Sequence, residues 1–101
     1  MIVVAGEIDM ATAPMLEREL AAAMEGGDGP VVLDLCDVTF FDSSGLRVAI
    51  VAHRDMKEKG RRLAVVCDPG GHVRRTFGLA GVAELLDLHP SRAAALADVT
   101  R

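Results

Sequence analysis

The strongest constraint on the fold comes from residues 31–38, VVLDLCDV, and from the segment that follows them. In a strand, Val31, Leu33 and Leu35 would face one side and the residues between them the other. Such a run is typical of a central strand with a covered face. A helical pattern follows at residues 44–59; its first turns are nearly uncharged, its second half is charged, and it ends at Gly60. The chain therefore has a strand that passes directly into a helix.

Strand and helix patterns alternate along the rest of the chain. Strands are predicted over residues 2–8, 31–38, 62–67 and 84–88, and helices over residues 14–26, 44–59, 72–78 and 90–99. This alternation predicts an α/β layer fold with parallel crossovers. The length of 101 residues indicates one domain.

Composition excludes several classes of protein. Three aromatic residues, all Phe, and a formal net charge of -4 argue against a nucleic-acid-binding surface. Cys36 and Cys67 both lie in apolar runs, and we expect two small buried thiols rather than a disulfide framework. No apolar run approaches the ~20 residues of a membrane span, and no basic signal-peptide region opens the chain. We expect a soluble cytoplasmic protein.

Charge is distributed unevenly. Residues 1–42 hold nine acidic residues and only Arg18 as a base, whereas residues 43–101 hold ten bases and six acids. This pattern fits two solvated faces, or an acidic face that steers a basic partner.

The junction of the second strand and helix holds Asp42, Ser43, Ser44 and Gly45. Each of the first three is a good N-cap residue, and one cap would satisfy a free N–H group of the helix. A cap explains one polar residue but not the cluster. We expect one serine to be held by a capping bond and the other to project.

Catalytic and metal-binding interpretations fit this junction poorly. The hydrolase pattern G-x-S-x-G is absent, and nothing in the spacing of His53, His72 and His89 identifies a base. The histidines and cysteines also lack metal-ligand spacing. We expect no catalytic residue, no metal and no cofactor.

Two further classes of site also fit the sequence poorly. A phosphoacceptor aspartate at Asp42 would need a pair of acids after the first strand, but Glu7 and Asp9 are not adjacent. The glycine-rich residues 26–29 follow a helix, whereas phosphate-binding loops follow a strand. A phosphorylated serine fits best, because phosphate is tolerated beside the free N–H groups at the positive end of a helix.

The sequence resembles the STAS family, the fold of bacterial anti-sigma factor antagonists. The resemblance covers nearly the whole chain and rests on GEID at residues 6–9, VVLDLCDVTFFDSSGL at 31–46, AVV at 64–66 and LAGV at 79–82. It implies a mixed sheet of four to five strands packed with about four helices. It also implies a single STAS domain over residues 1–101 from which the usual N-terminal strand is missing, either because the start is genuinely short or because the true start lies upstream. The exposed first strand would then favour a homodimer.

The resemblance implies a phospho-switched binding module rather than an enzyme. Ser43 is the implied phosphoacceptor, framed by Asp42, Ser44 and Gly45, with Glu7 and Asp9 bordering the same partner-binding surface. The unphosphorylated form would bind an anti-sigma factor with serine kinase activity and so release a sigma factor. A phosphatase would reset the switch. The alternative is a STAS subunit that regulates a transporter or a stress-sensing complex without phosphorylation.

Overall fold

Strands and helices alternate strictly in the computed structural model, which describes residues 1–100. The elements are β1 (Ile2–Ile8), α1 (Ala13–Glu25), β2 (Val31–Phe41), α2 (Ser43–Glu58), β3 (Leu63–Val66), α3 (His72–Leu79), β4 (Asp87–His89) and α4 (Arg92–Val99). The strands form one sheet in the order β1-β2-β3-β4. The predicted α/β fold with four strands and four helices is confirmed.

The sheet differs from the expected mixed sheet, because every pairing of the described strands is parallel. A helix separates each strand from the next and returns the chain to the same end of the sheet. Strand β2 also continues three residues beyond its predicted end, and β4 begins three residues later than predicted.

Two apolar layers cover the sheet. Val31, Leu33 and Leu35 belong to a large core that also holds buried residues of α1, α2 and α3. Val32 lies on the opposite face and packs with β3 residues and with Ala95 of α4. The predicted two-sided character of β2 is therefore confirmed.

The two cysteines differ in burial. Cys67 is buried, and burial raises the pKa of its thiol to about 11, so it stays protonated. Cys36 is exposed, so its predicted burial is wrong. The layer beneath α4 is small, because α4 has only eight residues, and it does not extend to the part of β2 that carries Cys36.

One charged side chain, Asp34, is fully buried on the α4 face of β2. Burial raises the pKa of Asp34, but the Cys36 N–H and the Arg92 guanidinium outweigh that effect and hold the pKa below its usual value. Arg92 Nε donates to Asp34 Oδ2 at 2.5 Å. The pair stabilises the fold above the unfolded carboxyl pKa of about 3.9, and this contribution is lost as the pH falls through the folded pKa.

Helix α2 lies close against the sheet at Gly45. A Cβ atom there would lie 2.7 Å from Ile8 Cγ2 and 2.7 Å from Phe41 Cε1, and both side chains are buried. Such distances are too short for any side chain. Gly45 therefore allows the first turn of α2 to pack directly against the ends of β1 and β2.

Gly45→Ala should destabilise the protein. Alanine improves helix propensity by about 1 kcal/mol, but the overpacking against Ile8 and Phe41 costs about 1–3 kcal/mol. Urea unfolding measures the difference. The matched control is Gly78→Ala in α3, where a Cβ would meet only the movable Arg74 guanidinium at 3.3 Å. We expect the control to be neutral or slightly stabilised. Equal stability of both variants would contradict the close approach.

Candidate functional site

The ends of β1 and β2 meet the start of α2 at one edge of the sheet. Glu7 pairs in register with Phe40, and Ile8 with Phe41. The Asp42 N–H donates to the Ile8 carbonyl at 3.3 Å. The two predicted segments, residues 6–9 and 42–45, therefore lie next to each other although more than 30 residues separate them.

Asp42 caps helix α2. Its backbone is extended, and its Oδ1 accepts a hydrogen bond from the Ser44 N–H at 2.8 Å. Ser43 and Ser44 are the first two residues of the helix. The expected capping bond from a serine is therefore wrong. Asp42 lies one residue earlier, in the extended conformation that lets its side chain reach the free N–H groups.

The two serines differ in exposure. Ser43 is exposed and Ser44 is partly buried. Neither hydroxyl forms a hydrogen bond to any other residue between 1 and 100, so neither is required for the cap. The Ser43 hydroxyl is therefore accessible, and it lies in the first turn, where N–H groups and the helix dipole favour negative charge.

In the GEID segment, Asp9 stabilises a turn and Glu7 lies on the surface. Asp9 Oδ1 accepts from the Ala11 N–H at 2.9 Å and from the Thr12 N–H at 3.1 Å. Thr12 Oγ1 accepts from the Asp9 N–H at 2.8 Å and donates to the Glu7 carbonyl at 2.9 Å. The Asp9 carboxylate therefore holds the turn that leads into α1. Glu7 is exposed beside that turn.

Two apolar side chains at this edge were not predicted from the sequence. Met10 is 81% exposed and Phe40 is 41% exposed. Phe41 fills the core, so its neighbour Phe40 points to the other side of the strand. That alternation was a signal in the sequence. A contiguous exposed apolar patch with a polar rim is typical of a contact surface for another protein.

Helix α3 contributes His72, which the sequence did not single out. Its ring stacks on Phe40 with centroids 5.7 Å apart. Its Nε2–H donates to the Phe41 carbonyl at 3.2 Å, and Thr76 Oγ1 donates to the same carbonyl at 3.3 Å. These contacts fix the end of β2, and with it the start of α2. No local sequence signal connects a histidine to a strand end 31 residues away.

A groove of about 390 Å³ opens beside the two serines, between α1 and α2. We call it the Ser43 groove; it is lined by Met10, Ala13, Pro14, Glu17, Ser43, Ser44, Arg47 and Val48. Arg47 was not among the predicted site residues. Its distance of four residues from Ser43 would have placed both on one helix face.

A second cluster of polar residues lies at β4 and α4, away from the serines. Asp87, His89 and Asp98 place candidate metal-ligand atoms within 4.8 Å of one another. An Arg62 terminal nitrogen, however, donates to Asp87 at 2.6 Å and to Asp98 at 2.5 Å. The cluster is explained as an ion-pair network centred on Arg62.

None of the helices in residues 1–100 is long and apolar enough to cross a membrane.

Comparison with known proteins gives consistent matches. The family model described as "Mlab, STAS domain" matches residues 1–87. The putative anti-sigma factor antagonist BtrV of Bordetella bronchiseptica is 36% identical over 92 residues, which cover 91% of this chain and 78% of that protein. The anti-sigma-B factor antagonist of Bacillus subtilis is 31% identical over 85 residues, or 84% of this chain and 76% of that one.

A solved structure agrees with these sequence matches. The crystal structure of an anti-sigma factor antagonist from Mycobacterium paratuberculosis superposes with a TM-score of 0.85 at 32% identity. The match covers 98% of this chain and 83% of that one. The parallel sheet, the junction at Ser43 and these matches together show that the chain belongs to the STAS family, as an anti-sigma factor antagonist type of STAS domain.

Proposed function

We propose that the chain is an anti-sigma factor antagonist whose binding is switched by phosphorylation of Ser43. The unphosphorylated form binds an anti-sigma factor with serine kinase activity in the cytoplasm and so releases a sigma factor. Phosphorylation ends the binding, and a phosphatase restores it. The observation that carries this proposal is the exposed Ser43 hydroxyl in the first turn of α2, beside a cap that Asp42 supplies.

The fold tolerates phosphate at this position. The Ser43 side chain is exposed and makes no hydrogen bond within residues 1–100, so its modification breaks no hydrogen bond. Phosphate adds roughly -1.5 to -2 charges at neutral pH. At a helix N-terminus that charge is favourable by about 0.3–1 kcal/mol. The switch therefore acts on binding and leaves the domain folded.

The docking surface is the one that forms at the ends of β1 and β2. We define it by Glu7, Met10, Phe40, Asp42 and Ser43. Met10 and Phe40 supply exposed apolar area for a partner to cover. Covering that area dehydrates the Ser43 side chain as well. A hydroxyl loses water at modest cost, whereas a phosphate dianion loses it at high cost and repels any acidic group of the partner.

The chain supplies the acceptor and the surface, and the partner supplies the catalysis. The kinase transfers the γ-phosphoryl group of ATP to Ser43 Oγ, takes up the hydroxyl proton and releases ADP. This role requires no cofactor, metal or catalytic residue of the antagonist. Ser44 and Gly45 complete the frame, Ser44 through the N–H bound by Asp42 and Gly45 through its packing.

Ser43 rather than Ser44 should accept the phosphate, because Ser43 is exposed and Ser44 is partly buried. Incubation with the cognate kinase and ATP, followed by intact mass and peptide mapping, measures this. Ser43→Ala should abolish the added mass, and Ser44→Ala should retain it. Phosphate on Ser44 alone would refute the assignment. No phosphorylation at all would favour a STAS subunit that regulates a transporter or stress-sensing complex.

Ser43→Asp should weaken binding to the cognate anti-sigma factor about tenfold or more, corresponding to at least about 1.4 kcal/mol. Its melting temperature should stay level or rise slightly, because the new charge lies at a helix N-terminus. Calorimetry and a melting curve test both parts. The control is Ser91→Asp, which places the same charge at the N-cap of α4, away from the docking surface. Unchanged affinity of the Ser43 variant would count against the switch.

We further propose a homodimer through β1. This strand is an edge of the sheet formed by residues 1–100, and its Val3 side chain is 50% exposed. An open strand edge pairs readily with another chain. Sedimentation velocity over a concentration series should show reversible dimers, which Val3→Lys should weaken and Leu79→Lys, on α3, should not. A monomer at every concentration would end this proposal.

A further inference from the structure

Arg47 lies one helical turn beyond Ser43, on the same side of α2. Ser43 is the first residue of the helix and Arg47 the fifth. Both are exposed, and both line the Ser43 groove. Residues four apart on a helix have Cβ atoms about 5–6 Å from each other. Long side chains also lean toward the helix N-terminus. In this preferred orientation the guanidinium of Arg47 lies over the turn that holds Ser43.

The Arg47 guanidinium has no partner between residues 1 and 100. By contrast, Arg61 donates to two backbone carbonyls, and Arg62 and Arg92 each bind carboxylates. Those three arginines have structural roles. Arg47 is also the only cationic side chain among the residues that line the Ser43 groove.

The other charged groups around Ser43 are mainly acidic. Asp42 precedes it, Glu17 of α1 lines the groove, and Glu7 and Asp9 lie at the neighbouring strand end. His72 of α3 stacks on Phe40 at the same edge. A phosphate on Ser43 would enter a region that already carries negative charge. Arg47 is the cation in the groove that can balance this negative charge.

We propose that Arg47 binds the phosphate of phosphorylated Ser43. The inference rests on the proposed function, because it takes Ser43 as the acceptor. The planar guanidinium offers two parallel N–H donors, and phosphate oxygens accept them in bidentate form. The pair holds the phosphate over the Ser43 groove, inside the docking surface. Phosphorylation then blocks the partner with an ordered, hydrated group and does not unfold the start of α2.

The test introduces phosphoserine at position 43 during translation, so no kinase is needed. A ³¹P NMR titration then follows the second ionisation of the phosphate, whose pKa is about 6 in a free phosphoserine. Pairing with a cation lowers that pKa. Arg47→Gln should raise the titration midpoint by about 0.2–0.4 pH unit, the size expected for one helical ion pair. Arg47→Lys should retain part of the lowering of this pKa. Its midpoint should therefore lie between those of the unsubstituted phosphoprotein and Arg47→Gln.

The control is Arg18→Gln, which removes an equal charge from the exposed side of α1, outside the groove. Its midpoint should match that of the unsubstituted phosphoprotein. Asp42, Glu17 and His72 are present in every variant, so they do not contribute to the difference between variants. The effect of Arg47→Gln should also shrink at high salt, because the pair is exposed.

Two results would overturn the pairing: coincident curves for Arg47→Gln and the unsubstituted phosphoprotein, or an equal shift for Arg18→Gln. Neither result bears on the kinase. Conversely, failure of the kinase to modify Ser43 would overturn the proposed function and leave the measured Arg47 pairing intact. The two proposals can therefore fail separately.

Discussion

The close packing of Gly45 against Ile8 and Phe41 is the contact on which the site depends. The absence of a side chain lets the first turn of α2 rest on the ends of two strands. Because β1 and β2 are parallel neighbours, their ends lie at the same edge of the sheet. Any larger residue at position 45 would separate the helix from the sheet. The two serines would then no longer be held at a fixed position relative to Glu7 and the turn around Asp9.

Within the D-S-S-G segment, each residue has a different physical task. Asp42 satisfies the free N–H of Ser44, and Gly45 permits the close packing. Ser43 has neither task and is exposed. This division explains how a charged modification at Ser43 can alter a surface without altering the fold, because the residues that stabilise the turn are not the residue that changes.

Much of this architecture could be predicted from the sequence, because the signals for strands and helices are local. The alternation of elements and the two-sided character of β2 follow from side-chain patterns within single segments. The cap could not be assigned, since Asp42, Ser43 and Ser44 have similar local preferences and a one-residue offset decides between them. The exposure of Cys36 depends on how far α4 reaches, and the Asp34–Arg92 pair joins residues 58 positions apart. Such contacts are set by tertiary packing, which leaves no local pattern.

The same distinction between local signals and tertiary contacts applies to the site residues. The D-S-S-G segment was found because cap-forming residues beside a glycine stand out at a strand-to-helix junction. Phe40 and His72 were missed because their stacking joins two elements. Arg47 was missed for another reason: a single arginine in an otherwise apolar helical segment is usually a solvated residue. Its significance appears only when the structure shows that it lines the groove beside Ser43 without a carboxylate to bind. In the proposed function, phosphorylation of Ser43 would place an anion beside this unpartnered cation.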